Sequence, residues 1–227
     1  MKLITTSDGS HSVYSDKFNA AYHSQHGAIQ ESQHVFIKSG LQYFLQFNQP
    51  ETLRIFEMGF GTGLNAFLTF LEMQDNPIPV EYTAVEQYPL PEEVYVSLNY
   101  IDLLHAEKYN AVFEKMHKCE WNGFCTITGK FALRKLNSQL QDLTHNQKYY
   151  LIFFDAFAHT AQPELWSQEI FSTLFYAMET NGVLVTYSAK GQVRRNLQAA
   201  GFKVERIQGP PGKREMLRAI KPLSLQA

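Results

Sequence analysis

Cysteine is nearly absent from this chain, with only Cys119 and Cys125 among 227 residues. Two cysteines in no paired motif exclude a disulfide framework, a structural zinc site and a thioredoxin-like redox pair. The eight histidines are scattered without an HExxH-type pairing, so no metal is expected. No apolar run approaches the ~20 residues that span a bilayer. Residues 1–10 lack the apolar core of a secretory signal, which leaves a cytoplasmic protein with no membrane partner as the expectation. Neither sign of charge dominates, the formal net charge being −2. A hydrophobic share of 44% with 14% aromatics supports a sizeable core and excludes global disorder.

The charge is unevenly spread. From Lys190 to Ala227, nine basic residues meet only Glu205 and Glu215, a balance of +7 that leaves −9 on the remainder. A basic end on an acidic body can steer a polyanion to one face, or the charges can simply belong to solvated helix and strand faces.

Residues 1–50 are polar and turn-rich, then partly apolar, and read as an N-terminal extension made of a hairpin and a helix. Residues 51–227 alternate strands and helices, the pattern of a mostly parallel sheet covered on both faces. Strands are expected at 53–58, 80–86, 124–128, 149–154 and 183–187. Helices are expected at 64–73, at two places within 92–118, and at 131–143, 163–178 and 192–200, the last closed by Gly201. Strands at 202–207 and 215–220 have too few residues between them for a parallel crossover and must form an antiparallel hairpin. This is an α/β Rossmann-like class I methyltransferase layout, a parallel sheet finished by an antiparallel hairpin.

Between the first strand and its helix lies Glu57-Met-Gly59-Phe-Gly61-Thr-Gly63. Glycines permit a tight turn and a close approach of ligand to main chain. The E-x-G-x-G-x-G spacing is not that of the pyrophosphate fingerprint. It suits S-adenosylmethionine, whose ammonium Glu57 helps to orient while backbone groups take its carboxylate. Glu86 closes the next strand, where an acid can accept hydrogen bonds from both ribose hydroxyls.

Asp155-Ala-Phe157 follows the most hydrophobic strand and therefore lies beyond its carboxyl end, where ligands bind in open α/β sheets. Methyl transfer to nitrogen needs a neutral amine aimed at the methyl carbon, so the protein mainly positions and desolvates. Asp155, bordering the cofactor, is the candidate to hold the amine and take its surplus proton. Phe157 is the candidate wall or stacking surface for a target base.

Several further blocks accompany these. Ser15-Asp-Lys-Phe18, Tyr22-His-Ser24 and Glu31-Ser-Gln-His-Val-Phe36 precede the glycine loop. Phe154-Asp-Ala-Phe-Ala158, Pro163-Glu-Leu-Trp166, Tyr187 to Phe202 and Gly212-Lys-Arg-Glu-Met-Leu217 follow it. Nearly end to end, the chain resembles the methyltransferase part of the bacterial tRNA 5-methylaminomethyl-2-thiouridine biosynthesis (MnmC) family and its stand-alone MnmD-like form. The resemblance implies methylation of the 5-aminomethyl group of the wobble uridine in tRNA. It also implies a cofactor site at the glycine loop and Glu86, and a catalytic role for Asp155. Arg194, Arg195, Lys213 and Arg214 then become candidates to bind phosphates of the anticodon arm.

Fused members of that family carry a FAD-dependent oxidase domain after this region; the chain stops at Ala227, so no FAD is expected. Where the family often has an acid on the third strand, Gly129-Lys130-Phe131 stands here, which leaves adenine recognition to other groups. Two alternatives stay open. One is a small-molecule amine methyltransferase or aminopropyltransferase-like enzyme on the same fold. The other is a non-catalytic RNA-binding protein.

Overall fold

Tyr149–Phe154 carries no polar face for solvent to wet, so both of its sides must be covered by protein. The computed structural model, which describes residues 1–143 and 148–223, places it in the middle of an eight-stranded sheet. The strands in chain order are β1 (Lys2–Thr5), β2 (His11–Ser15), β3 (Ala20–Ala21), β4 (Leu53–Met58), β5 (Val80–Val85) and β6 (Phe124–Thr128), then β7 (Phe131–Leu136), β8 (Tyr149–Phe154), β9 (Met178–Thr186), β10 (Lys203–Gln208) and β11 (Glu215–Ile220). The first three form a small antiparallel sheet. The other eight are ordered β10-β11-β9-β8-β4-β5-β7-β6. The inner five are parallel, while β11 runs antiparallel to both β9 and β10, and β6 antiparallel to β7.

Side chains alternate along each strand, so Leu151 and Phe153 feed one core and Ile152 and Phe154 the other. The first core is closed by α3 (Leu64–Glu72) and by a helix built of α1 (Ala28–Ser32), a π-helical stretch (Gln33–Gln42) and α2 (Tyr43–Phe47). Gly40 brings that helix onto the sheet: a Cβ there would stand 2.9 Å from Val185 and 3.2 Å from Phe153. The second core is closed by α7 (Gln168–Tyr176) and α8 (Gly191–Ala199), through Trp166, Phe171, Val193 and Leu197.

Three local expectations need correction. Residues 131–143 are not a helix: β7 occupies Phe131–Leu136 beside β5, followed by a 3-10 turn at Leu140–Asp142. Phe131, Leu133 and Lys135 all point inward, and the buried lysine disguised the alternation. Its Nζ donates to the His117 carbonyl at 2.5 Å and lies 4.6 Å from the Trp121 ring centroid, which makes the burial tolerable. Residues 92–118 hold three short helices, α4 (Glu92–Tyr95), α5 (Tyr100–Leu103) and α6 (Asn110–Lys118). The helix expected from Pro163 breaks after a 3-10 turn, and α7 starts afresh at Ser167, whose side chain accepts from the Ile170 N–H at 3.3 Å. Ser167→Ala should therefore lower stability by about 1 kcal/mol in urea denaturation; no change would mean that the cap is not holding α7.

Candidate active site

The sheet order reverses at β4, with β5 on one side and β8 on the other, and a cleft opens there at the carboxyl ends of the strands. Met58, Gly59, Gly61, Glu86, Asp155 and Phe157 all line it, so residues 99 positions apart in the chain share one wall. Gly59 has φ +91°, and a Cβ there would come within 2.9 Å of the Asp155 carbonyl oxygen. The β4 turn thus lies directly against the β8 turn because residue 59 has no side chain. Gly63 lies outside the cleft lining; with φ +73° it starts α3.

Glu86 is half-buried at the edge of the cleft. Its two carboxylate oxygens accept the N–H groups of Gly61 at 3.0 Å and Tyr88 at 2.8 Å, and burial pushes its carboxyl up from the usual range. Glu57 does not line the cleft. It sits behind Asn65, whose amide nitrogen donates both to Glu57 at 2.9 Å and to Asp155 at 2.8 Å. Burial holds the Glu57 carboxyl well above its ordinary value. Glu57 therefore communicates with the cleft through Asn65, a residue that sequence reasoning missed although it sits two places after Gly63.

Asp155 titrates far from the ordinary aspartate range, pushed up to about 7 by burial and then by the Glu31 carboxylate, with the Asn65 hydrogen bond and the Lys213 ammonium opposing. Two hydrogen bonds fix the loop beyond it. The Trp166 indole N–H donates to the Phe157 carbonyl and the Tyr187 hydroxyl to the Ala156 carbonyl, at 2.9 and 2.8 Å. Phe157 is stacked on Phe18 with centroids 4.6 Å apart and meets the edge of Tyr22 at 4.9 Å. The small N-terminal sheet thereby roofs the cleft. His23, also in the lining, is half-buried between the Ser12 and Thr62 hydroxyls, and desolvation lowers its imidazole to about 4. Phe18, Tyr22, His23 and Glu31 lie in blocks visible in the sequence, but nothing local there revealed that they fold over the glycine loop.

Lys130 is remote from this cleft. Its carbonyl accepts from the N–H of Val80, at the opposite, amino end of β5, and with Gly129 it turns β6 into β7. The residues beyond the carboxyl end of β7 that line the cleft are Ser138, Gln139, Leu140 and Gln141. Position 130 thus takes no part in the cleft, in keeping with the expectation that adenine recognition does not rest on Lys130. Of the four basic residues singled out, Arg195 and Arg214 are exposed and Arg194 is half-buried. Lys213 is turned inward onto Glu31 at 2.5 Å.

The donor set fits an S-adenosylmethionine-sized ligand. Two glycines with positive φ keep the loop free of side chains, Glu86 presents a carboxylate, and Leu140 and Met58 offer apolar walls. Among the described residues no group of three or more His, Cys, Asp or Glu side chains is placed to hold a metal, and no helix is long and apolar enough to cross a membrane.

The model of an S-adenosyl-L-methionine-dependent methyltransferase family matches residues 101–222. The tRNA 5-methylaminomethyl-2-thiouridine biosynthesis bifunctional protein MnmC of Nitrosospira multiformis is 31% identical over 184 residues, 77% of this chain and 29% of that protein. The protein of the same name from Leptospira interrogans is 31% identical over 195 residues, 81% of this chain and 30% of the relative. The chain thus spans under a third of the length of these curated relatives. The crystal structure of MnmC2 from Aquifex aeolicus superposes with a TM-score of 0.78 at 26% identity, over 96% of this chain and 69% of that one.

Proposed function

The chain belongs to the S-adenosyl-L-methionine-dependent methyltransferases, and from that premise we propose that it methylates the amine of 5-aminomethyl-(2-thio)uridine at the wobble position of tRNA in the cytoplasm. The product is 5-methylaminomethyl-(2-thio)uridine. The observation that carries the reading is Asp155, a carboxylate poised near neutrality on the wall of the cofactor cleft and next to the aromatic face of Phe157. The relatives named for biosynthesis of this nucleoside support the choice of substrate.

S-adenosylmethionine, when bound, supplies a methyl group on a sulfonium, an electrophile that a neutral amine displaces in line. Gly59, Gly61 and Gly63 shape the loop that would receive it, Glu86 would accept from its ribose hydroxyls, and Glu57 would act on its ammonium end by way of Asn65. Asp155 takes a proton from the incoming alkylammonium, and its other carboxyl oxygen accepts an N–H of the neutral amine, so that the lone pair is left free for the methyl carbon. Phe157 gives the uracil ring a flat apolar wall, and the Phe18–Tyr22 roof excludes water. The transfer is redox-neutral and calls for neither flavin nor metal. Residues 1–50 serve the substrate side, and residues 51–227 carry the transferase.

Beside the cleft lies a shallow depression bordered by Tyr187, Lys190 and Arg214. Arg214, with Arg194 and Arg195 on α8, is assigned to phosphates of the anticodon arm. Reversing the charge at Arg195 and Arg214 should weaken tRNA binding and flatten its salt dependence by about one power of salt per lost phosphate contact. An unaltered slope in filter binding would place the docking surface elsewhere.

The direct test is incubation with S-adenosylmethionine and tRNA lacking this methylation, read by nucleoside mass spectrometry. One added methyl on the 5-aminomethyl wobble uridine is the expected result. No gain, with cofactor binding confirmed by calorimetry, would move the substrate to a small amine.

A further inference from the structure

Lys213 and Glu31 are 182 positions apart and form the ion pair that ties the β10–β11 turn to α1. The Glu31 side chain is only 9% exposed, and its other oxygen accepts the Ser24 N–H at 2.9 Å. The Lys213 ammonium also lies 4.0 Å from the centroid of the Tyr187 ring, and the Tyr187 hydroxyl is bonded to the carbonyl of Ala156, the residue after Asp155. Carboxylate, ammonium and ring thus form a short bridge that ends at the catalytic loop. The Lys213 side chain is 31% exposed and borders the depression beside Arg214, but its charge is already neutralised by Glu31, which weakens its pull on a phosphate.

We propose that Lys213 and Glu31 are positioning residues for Asp155, the Glu31 carboxylate holding the Lys213 ammonium where it keeps Asp155 ionised for the incoming amine. The proposal rests on the amine methylation put forward above. The other titratable groups around Asp155 lie on the neighbouring elements, and its charge makes each of them harder to ionise. They are Glu57 on β4, Tyr82 on β5, Tyr100 on α5 and Tyr187 after β9, with Asn65 on α3 as its hydrogen-bond donor. None of them is cationic; Asn65 through its hydrogen bond and Lys213 through its charge both favour the ionised form of Asp155. Glu31 acts in both directions: it repels the Asp155 charge directly and anchors the lysine that attracts it. The bridge holds the ammonium on Glu31 and over the Tyr187 ring.

The test uses the full chain labelled with carbon-13 at the aspartate carboxyls, Asp155 being assigned by the signal lost in Asp155→Asn. In the wild type its midpoint should lie near 7. Lys213→Met should move it up by about one pH unit, Lys213→Arg should return it, and Glu31→Gln should move it down. Shifts of opposite sign are something that loosened packing would not produce. A one-unit rise would cut the ionised fraction at pH 7 from about one half to about one tenth. Methyl-transfer kcat in Lys213→Met should then fall about fivefold at pH 7 and recover towards pH 9, with KM for tRNA unchanged.

Midpoints that stay put in both variants would overturn the proposal. So would a Lys213→Met variant whose only change is a higher KM for tRNA and a flatter salt slope, since that is the signature of a phosphate contact. If the midpoints move as stated but the wild type methylates no tRNA, the substrate reading fails and the role of the pair stands.

Discussion

Asp155→Ala is expected to lower methyl transfer by about 10²–10⁴-fold while S-adenosylmethionine affinity stays within a few-fold. The two effects separate because of how the loop is held. Trp166 and Tyr187 grip the carbonyls of Phe157 and Ala156, and the Asp155 N–H donates to the Met58 carbonyl at 3.1 Å, so the main chain keeps its course without the carboxylate. The cofactor groups assigned here, the glycine loop and Glu86, are fixed by other bonds. What disappears is the acceptor for the amine's proton. Single-turnover kinetics with calorimetry on the same preparation would check both halves. Turnover unchanged would remove Asp155 from the mechanism, and cofactor binding lost along with it would make the residue structural.

The second large effect has the opposite sign and concerns stability. In the folded chain Asp155 keeps its proton up to about pH 7, whereas an unfolded aspartate gives it up near pH ~4. Between those limits the folded state binds the extra proton, so this residue's contribution falls as pH rises and the whole penalty is in place above about 7. Because the cleft admits water to part of the side chain, the penalty is on the order of 2 kcal/mol. Asp155→Asn should thus be no more stable than the wild type at pH 4 and more stable by about 2 kcal/mol at pH 8. His23 behaves in reverse: half-buried and neutral, it favours the folded state above about 6.5, and that advantage is lost as pH falls towards about 4. It is present in both proteins and cancels from their difference. Urea titrations at several pH values would show a gap that widens with pH; a constant gap would deny the raised titration of Asp155.

The signals that stood out in the sequence were those whose meaning is local. A glycine-rich turn after a strand, an acid ending the next strand, an aspartate after the most apolar strand and a hairpin too short for a crossover are each complete within a few residues. The structure brings Gly59, Gly61, Glu86 and Asp155 to one cleft. The misreadings came where a tertiary partner reverses a local preference. Lys135 looked like the polar face of a helix because its buried acceptor, the His117 carbonyl, is 18 residues away. Lys213 looked like one of several surface cations because Glu31, which turns it inward, is near the other end of the chain. The roof residues Phe18 and Tyr22 carry no chemical signature of their own. Their role exists only in contact with Phe157.

The bond between residues 31 and 213 has a consequence for how the molecule comes into being. A nascent chain leaving the ribosome carries its first helix and glycine loop long before position 213 emerges, and His34 waits likewise for the carbonyl of Gln208. Until then Glu31 and His34 lack their partners from the β10–β11 hairpin, so the seam that joins the two ends of the chain closes only after the hairpin has been made.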